Sequence, residues 1–253
     1  MQLELTKLDR KPDKNGQWRG GPRMRAGRPS FKKLRLHRRA SERHMTRPDL
    51  CERHPVHVVL RACADVGSLR THAVFSAVRE ATIQVYKYED TFRIVHFSIQ
   101  KTHIHLLVEA NDKDALSLGM KAFGISAAKH INALVSAARG ASKRRRGSVF
   151  TDRYHATVLT NPKQVRHCIS YVLNNWHHHA ADREPLKRPW HIDPYASGLS
   201  FDGWKERKNL PYFEAPSGYF GPQLAWPRTY FLSTGWKRYG LISIDEIRGG
   251  GDE

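Results

Sequence analysis

Apolar and polar positions along the chain change period in an order that predicts four strands and three helices between residues 54 and 179. Val56, Val58 and Leu60 alternate with His57, Val59 and Arg61, so residues 54–64 read as a first strand, with Pro55 at its start. Residues 68–87 read as a helix capped by Ser68. Its apolar stripe is Leu69, Ala73, Phe75, Ala77, Val78, Thr82 and Val85. Phe92, Ile94, Val95, Phe97 and Ile99 mark a second strand over 92–100, and residues 103–110 a third. Asp112 or Asp114 can cap a long helix over 115–138, with Leu118, Phe123, Ile125, Ile131, Leu134 and Val135 expected in the core. Residues 148–159 form the fourth strand. Thr160-Asn161-Pro162 then starts a helix to about residue 179, with Asn161 as the cap and Pro162 in the first turn.

The order β-α-β-β-α-β followed by a helix is the split-βαβ, ferredoxin-like arrangement with an antiparallel sheet, an α+β fold. Its boundaries fall at 51–180. Residues 1–50 precede it as a basic arm and 181–253 follow as an irregular extension. The extension is broken by Pro185, Pro189, Pro194, Pro211, Pro216, Pro222 and Pro227. It also carries Trp190, Trp204, Trp226 and Trp236 among basic residues, a mixture that suits either stacking on unpaired bases or anchoring the tail to the domain.

Charge narrows the partner. The net charge is +19, and the first 50 residues hold 15 Lys/Arg against 5 Asp/Glu. A polyanion is expected, most simply nucleic acid, with an anionic membrane surface as the other choice. Lys32, Lys33, Arg38 and Arg39 on the arm are candidates for phosphate contacts. So are Arg144, Arg145 and Arg146 in the loop over 139–147. No apolar run is long enough to span a bilayer, and the N-terminus lacks an apolar signal segment, so a cytoplasmic, nucleoid-associated protein is expected. Cys51, Cys63 and Cys168 include no C-x-x-C pair and suggest neither a disulfide framework nor a zinc knuckle.

Two stretches carry candidate chemistry. His103 and His105 are two apart on the third strand, so both imidazoles leave one face and can hold one divalent cation. His177 and His179 repeat the spacing, but at a helix end, where the run His177-His178-His179 suits the helix dipole or a phosphate. The second stretch is the last helix. Tyr171 and Asn175 are four apart and share a face. A phenol can attack phosphorus and an amide oxygen is a hard metal ligand. Tyr154, between Arg153 and His155 on the fourth strand, is a rival nucleophile, and Arg153 and His155 can contact DNA.

Gln100-Lys101-Thr102-His103-Ile104-His105-Leu106-Leu107-Val108-Glu109-Ala110 resembles the HUH motif of single-tyrosine, IS200-like transposases, and most closely that of the REP-associated tyrosine transposases. His54-Pro55-Val56-His57-Val58, Val149-Phe150-Thr151-Asp152-Arg153-Tyr154-His155-Ala156 and Tyr171-Val172-Leu173-Asn174-Asn175 agree with it in order and spacing. The resemblance covers roughly 50–180. It implies a transposase that cleaves and rejoins single-stranded hairpin DNA as a monomer or homodimer. It also implies Mg²⁺ or Mn²⁺ on His103, His105 and Asn175, with Tyr171 as nucleophile and a 5′-phosphotyrosine intermediate. Many relatives carry glutamine where this chain has Asn175, and asparagine where it has Thr102. A non-catalytic nucleic-acid binder on the same scaffold is the alternative. A two-histidine phosphodiesterase would want a second His-x-Thr/Ser motif, which His72 and His155 do not supply.

Overall fold

The computed structural model describes residues 49–140, 142–143, 145–178, 192–208 and 221–246. The chain divides into Met1–Ser41 and Glu42–Glu253, and the first part, with Lys32, Lys33, Arg38 and Arg39, lies outside the described residues, as does Arg144. The elements are β1 (Val56–Arg61), α1 (His72–Tyr86), β2 (Phe92–Ile99), β3 (His103–Ala110), α2 (Lys113–Ala138), β4 (His155–Val158), α3 (Pro162–Asn174) and a short α4 (Tyr230–Ser233). The sheet order is β2-β3-β1-β4, every pair antiparallel. Each βαβ crossover therefore straddles one strand, as the split-βαβ arrangement requires.

Strand alternation divides the sheet into two different faces. Val56, Val58, Leu60, Ile104, Leu106 and Val108 point to one side, where α1 and α2 close the larger core. Leu107 and Val95 serve the other side with Val165, Ile169, Val172 and Leu173 of α3. His57, Val59 and Arg61 on β1 and His103 and His105 on β3 belong to this second face, because they sit opposite one another in register.

Local chemistry sets the helix starts. α1 is capped by Thr71, whose hydroxyl accepts from the Val74 amide, rather than by Ser68; Leu69 is buried but lies outside the helix. α2 begins at Lys113 because Asp112 accepts from the Asp114 and Ala115 amides. Asn161 caps α3 through the Gln164 amide. The fourth strand is shorter than the pattern over 148–159 suggests. Phe150 forms only an isolated bridge to Ala62, and regular pairing starts at His155. Leu118 and Ile125 are not in the core: they are 67% and 57% exposed. α2 instead buries Leu116, Gly119, Met120, Phe123, Ala127 and Ile131, since only glycine at 119 admits the Phe92 ring.

The segments after α3 complete the second core. Trp204, Trp236, Phe201, Ile242 and Ile244 are buried against α3, each large side chain worth roughly 1.5–3 kcal/mol of transfer energy. β2 is an edge strand, and it is covered. The Ile99 amide donates to the Tyr195 carbonyl, the Phe97 amide to Ser197 Oγ and the Ala225 amide to the Ile94 carbonyl. Two buried ion pairs fix this covering. Arg70 grips Asp193 bidentately at 2.9 and 3.0 Å, and Arg93 donates to Glu109 at 2.8 Å. Glu109 also accepts the amides of Arg228 and Thr229. Among the described residues no helix is long and apolar enough to cross a membrane.

Candidate active site

β3 presents His103 and His105 side by side on the face crossed by α3. Their rings meet edge to face, with centroids 4.6 Å apart and planes at 83°. Each ring is held at Nδ1 by a neighbour. Thr102 Oγ1 lies 3.1 Å from His103 Nδ1, so threonine occupies the place of a support for the first histidine. His57 Nε2 lies 3.0 Å from His105 Nδ1, and the two rings stack.

His57 is the residue that sequence reasoning gave no role. Its signal was present: alternation on β1 puts it on the same face as the paired histidines, one diagonal step from His105. Burial pushes its pKa down to about 4, and the charges of His155 and His103 add to the effect. His57 is thus neutral at pH 7, with one N–H and one lone pair. For His105 to offer a lone pair at Nε2, its Nδ1 must carry the proton and donate it to His57.

α3 brings the phenol to the histidines. The Tyr171 ring stands edge-on to His105 at 5.2 Å and 84°, and edge-on to His57 at 6.0 Å. It is 38% exposed, so a substrate can reach it. Asn175 lies at the end of α3, where the helix tightens into a 3-10 turn over Asn175–His178. It is buried, and its amide nitrogen has no hydrogen-bond partner among the described residues. Since the two ends of an amide are interchangeable, one end of this buried group is left for something the described residues do not supply. A second such amide is Gln100, opposite His103 at the β2–β3 hairpin. Its Nε2 donates to Ser98 at 2.5 Å while its buried Oε1 has no partner among the described residues.

This donor set fits a hard divalent ion. Two imidazoles share a face with their Nδ1 atoms engaged, and the buried amides offer oxygen. Among the described residues no group of three His, Cys, Asp or Glu side chains is placed to hold a metal.

The remaining candidates separate. Tyr154 precedes β4 rather than lying in it, and packs against the core on the opposite face. His155 and Arg153 are exposed, His155 on β4 next to β1. Arg146 is exposed. Arg145 is turned inward: its guanidinium is bound by Asp65 and donates to Asn132 and to the carbonyls of Gly147 and Ser148, tying the loop to α2. His177 donates to the Ile244 carbonyl at 3.1 Å, so it serves the fold. Burial pushes the Cys168 thiol up to about 12, which leaves it a packing group.

Residues 51–175 match the family described as IS200-like transposases, a span that takes in His57, His103, His105, Tyr171 and Asn175. Among solved structures, the chain is similar to a REP-associated tyrosine transposase bound to a REP hairpin. That match has 16% identity, covers 73% of this chain and 100% of that one, and has a TM-score of 0.46. It is also similar to a candidate transposase from Deinococcus radiodurans, with 14% identity, 51% of this chain and 92% of that one covered, and a TM-score of 0.32. No curated protein sequence matches.

Proposed function

We propose, from the premise that residues 51–175 belong to the IS200-like transposase family, that this transposase domain cleaves and rejoins single-stranded, hairpin-bearing DNA with Tyr171 as its nucleophile. The observation that carries the reading is the Tyr171 ring held against His105 at 5.2 Å while still exposed. In this reading His103 and His105 hold Mg²⁺ or Mn²⁺, with Asn175 as the amide ligand. When bound, the ion supplies positive charge for a non-bridging phosphate oxygen.

The chain's own groups do the rest. α3 aims the phenolic oxygen at a phosphorus held beside the histidines, a gain in effective concentration rather than in reactivity. The Tyr171 phenol gives up its proton to solvent as its oxygen bonds to phosphorus and the bond to O3′ breaks, and O3′ takes up a proton from solvent to leave as a hydroxyl. The 5′ side of the break stays on Tyr171 as a phosphodiester. A 3′-hydroxyl can later attack that phosphorus and release the phenol, and no nucleotide cofactor is needed, because one ester replaces another in each step. Exposed Arg146, Arg153 and His155, together with the net charge of +19, favour the phosphate backbone.

Replacing both His103 and His105 with alanine tests the assignment. DNA binding and fold are expected to persist while Mn²⁺-dependent strand cleavage is lost. Cleavage at the unaltered rate in the double variant would sink it.

A further inference from the structure

We propose that Glu246 is a positioning residue for Tyr171, acting as the centre of a clamp that fixes α3 to the segment 240–246. The inference rests on the reading of Tyr171 as nucleophile and adds a residue well beyond the span that matches the transposase family. Its basis is a row of buried polar side chains on α3. Arg166, Ser170 and Asn174 are spaced four apart, so they form one stripe along the helix. On a helix that buries Val165, Ile169, Val172 and Leu173, three buried polar side chains are costly unless each is satisfied.

All three are satisfied by a single short segment, residues 240–246. Arg166 binds both carboxylate oxygens of Glu246, one of them at 2.6 Å, and its Nη2 also donates to the Leu241 carbonyl at 3.1 Å. Ser170 donates to Glu246 at 2.8 Å. The Asn174 amide donates to the carbonyls of Ser243 at 2.9 Å and Glu246 at 3.2 Å. The segment is itself held down: Ile242 and Ile244 are buried, and the Ile242 amide donates to the Gly203 carbonyl.

The stripe flanks the working residues. Ser170 precedes Tyr171 and Asn174 precedes Asn175, so a shift of the clamped stripe moves the phenol and the amide together. An apolar interface would allow α3 to slide or roll by small amounts. A bidentate guanidinium–carboxylate pair with a third donor on the same carboxylate has one geometry. The clamp therefore sets rotation and register of α3, which an in-line attack requires.

The test uses the full chain with Glu246→Gln, which keeps the shape and loses the charge, and Ser170→Ala, which removes one donor. Two quantities are read: the single-turnover rate of protein–DNA adduct formation at saturating hairpin single strand with Mn²⁺, and the affinity for that DNA. Glu246→Gln is expected to slow adduct formation by at least ~10-fold with affinity within about twofold. Ser170→Ala should give a smaller slowing, and Glu246→Asp should recover part of the rate. A purely structural role would instead lower melting temperature and affinity together and leave the rate per folded molecule unchanged, which overturns the proposal. Hydrogen exchange of the amides over 166–174 separates the two assignments. Faster exchange in Glu246→Gln, with no Tyr171 adduct from the unaltered protein, keeps the clamp and removes the nucleophile assignment. Unaltered exchange together with an unaltered adduct rate removes the clamp.

Discussion

His57 shows what a single side chain contributes here. It engages the Nδ1 atom of His105 and so holds the ring, and His57→Ala is expected to weaken Mn²⁺ binding roughly 10–100-fold with little change in fold, read by calorimetric titration. His96 makes a prediction of another kind. It is buried beside Phe201 and Ser197, and burial lowers its pKa to about 4 from an ordinary 6.5, with Asp202 opposing. The unfolded chain takes up this proton near pH 6.5 and the folded chain only near pH 4. The stabilisation is full above pH 6.5 and falls as the pH drops toward 4, by up to ~3 kcal/mol. In urea titrations across that window, His96→Gln should flatten the pH dependence; an unchanged slope would assign it to other groups. The paired histidines were legible in the sequence because spacing on a strand fixes the face. The support from His57 was not, because the register of β1 against β3 is a tertiary property.

At the scale of elements, the succession β-α-β-β-α-β followed from the sequence pattern, while the buried face of α2 did not. Counting apolar residues on α2 favours Leu118 and Ile125, yet packing selects the stripe through Gly119, where a Cβ would overlap the Phe92 ring. Gly119→Ala is therefore expected to destabilise by about 1–3 kcal/mol despite alanine's better helix propensity, measured by chemical denaturation. Any stabilisation would mean that Phe92 can move aside. The covering of the β2 edge rests on Glu109, which is fully buried. Glu109→Ala leaves Arg93 with an uncompensated buried charge and frees two backbone amides, Arg228 and Thr229, at a cost of about 3–5 kcal/mol. The tryptophans of the extension were legible as stacking groups or anchors, and Trp204 and Trp236 are buried anchors, but which elements they meet was not legible, because their contacts with the domain are long-range.

Across the whole molecule, the polar face of the sheet, the helix that crosses it and the segment that clamps that helix converge on Tyr171. The first 50 residues carry 15 Lys/Arg against 5 Asp/Glu. Deleting residues 1–50 should weaken DNA binding and reduce its dependence on salt concentration, by about 0.7 in log–log slope for each phosphate of a single strand that the arm neutralises. An equal slope with and without the arm would assign it another task. The central claim is that Tyr171 makes and breaks the DNA strand at the histidine pair. Its most direct test is peptide mapping by mass spectrometry of the adduct formed with a hairpin-bearing single strand and Mn²⁺. The account predicts a single modified peptide, containing Tyr171 joined to the 5′ end of the DNA, lost in Tyr171→Phe and retained in Tyr154→Phe. An adduct on Tyr154, or one joined through the 3′ end, would contradict it.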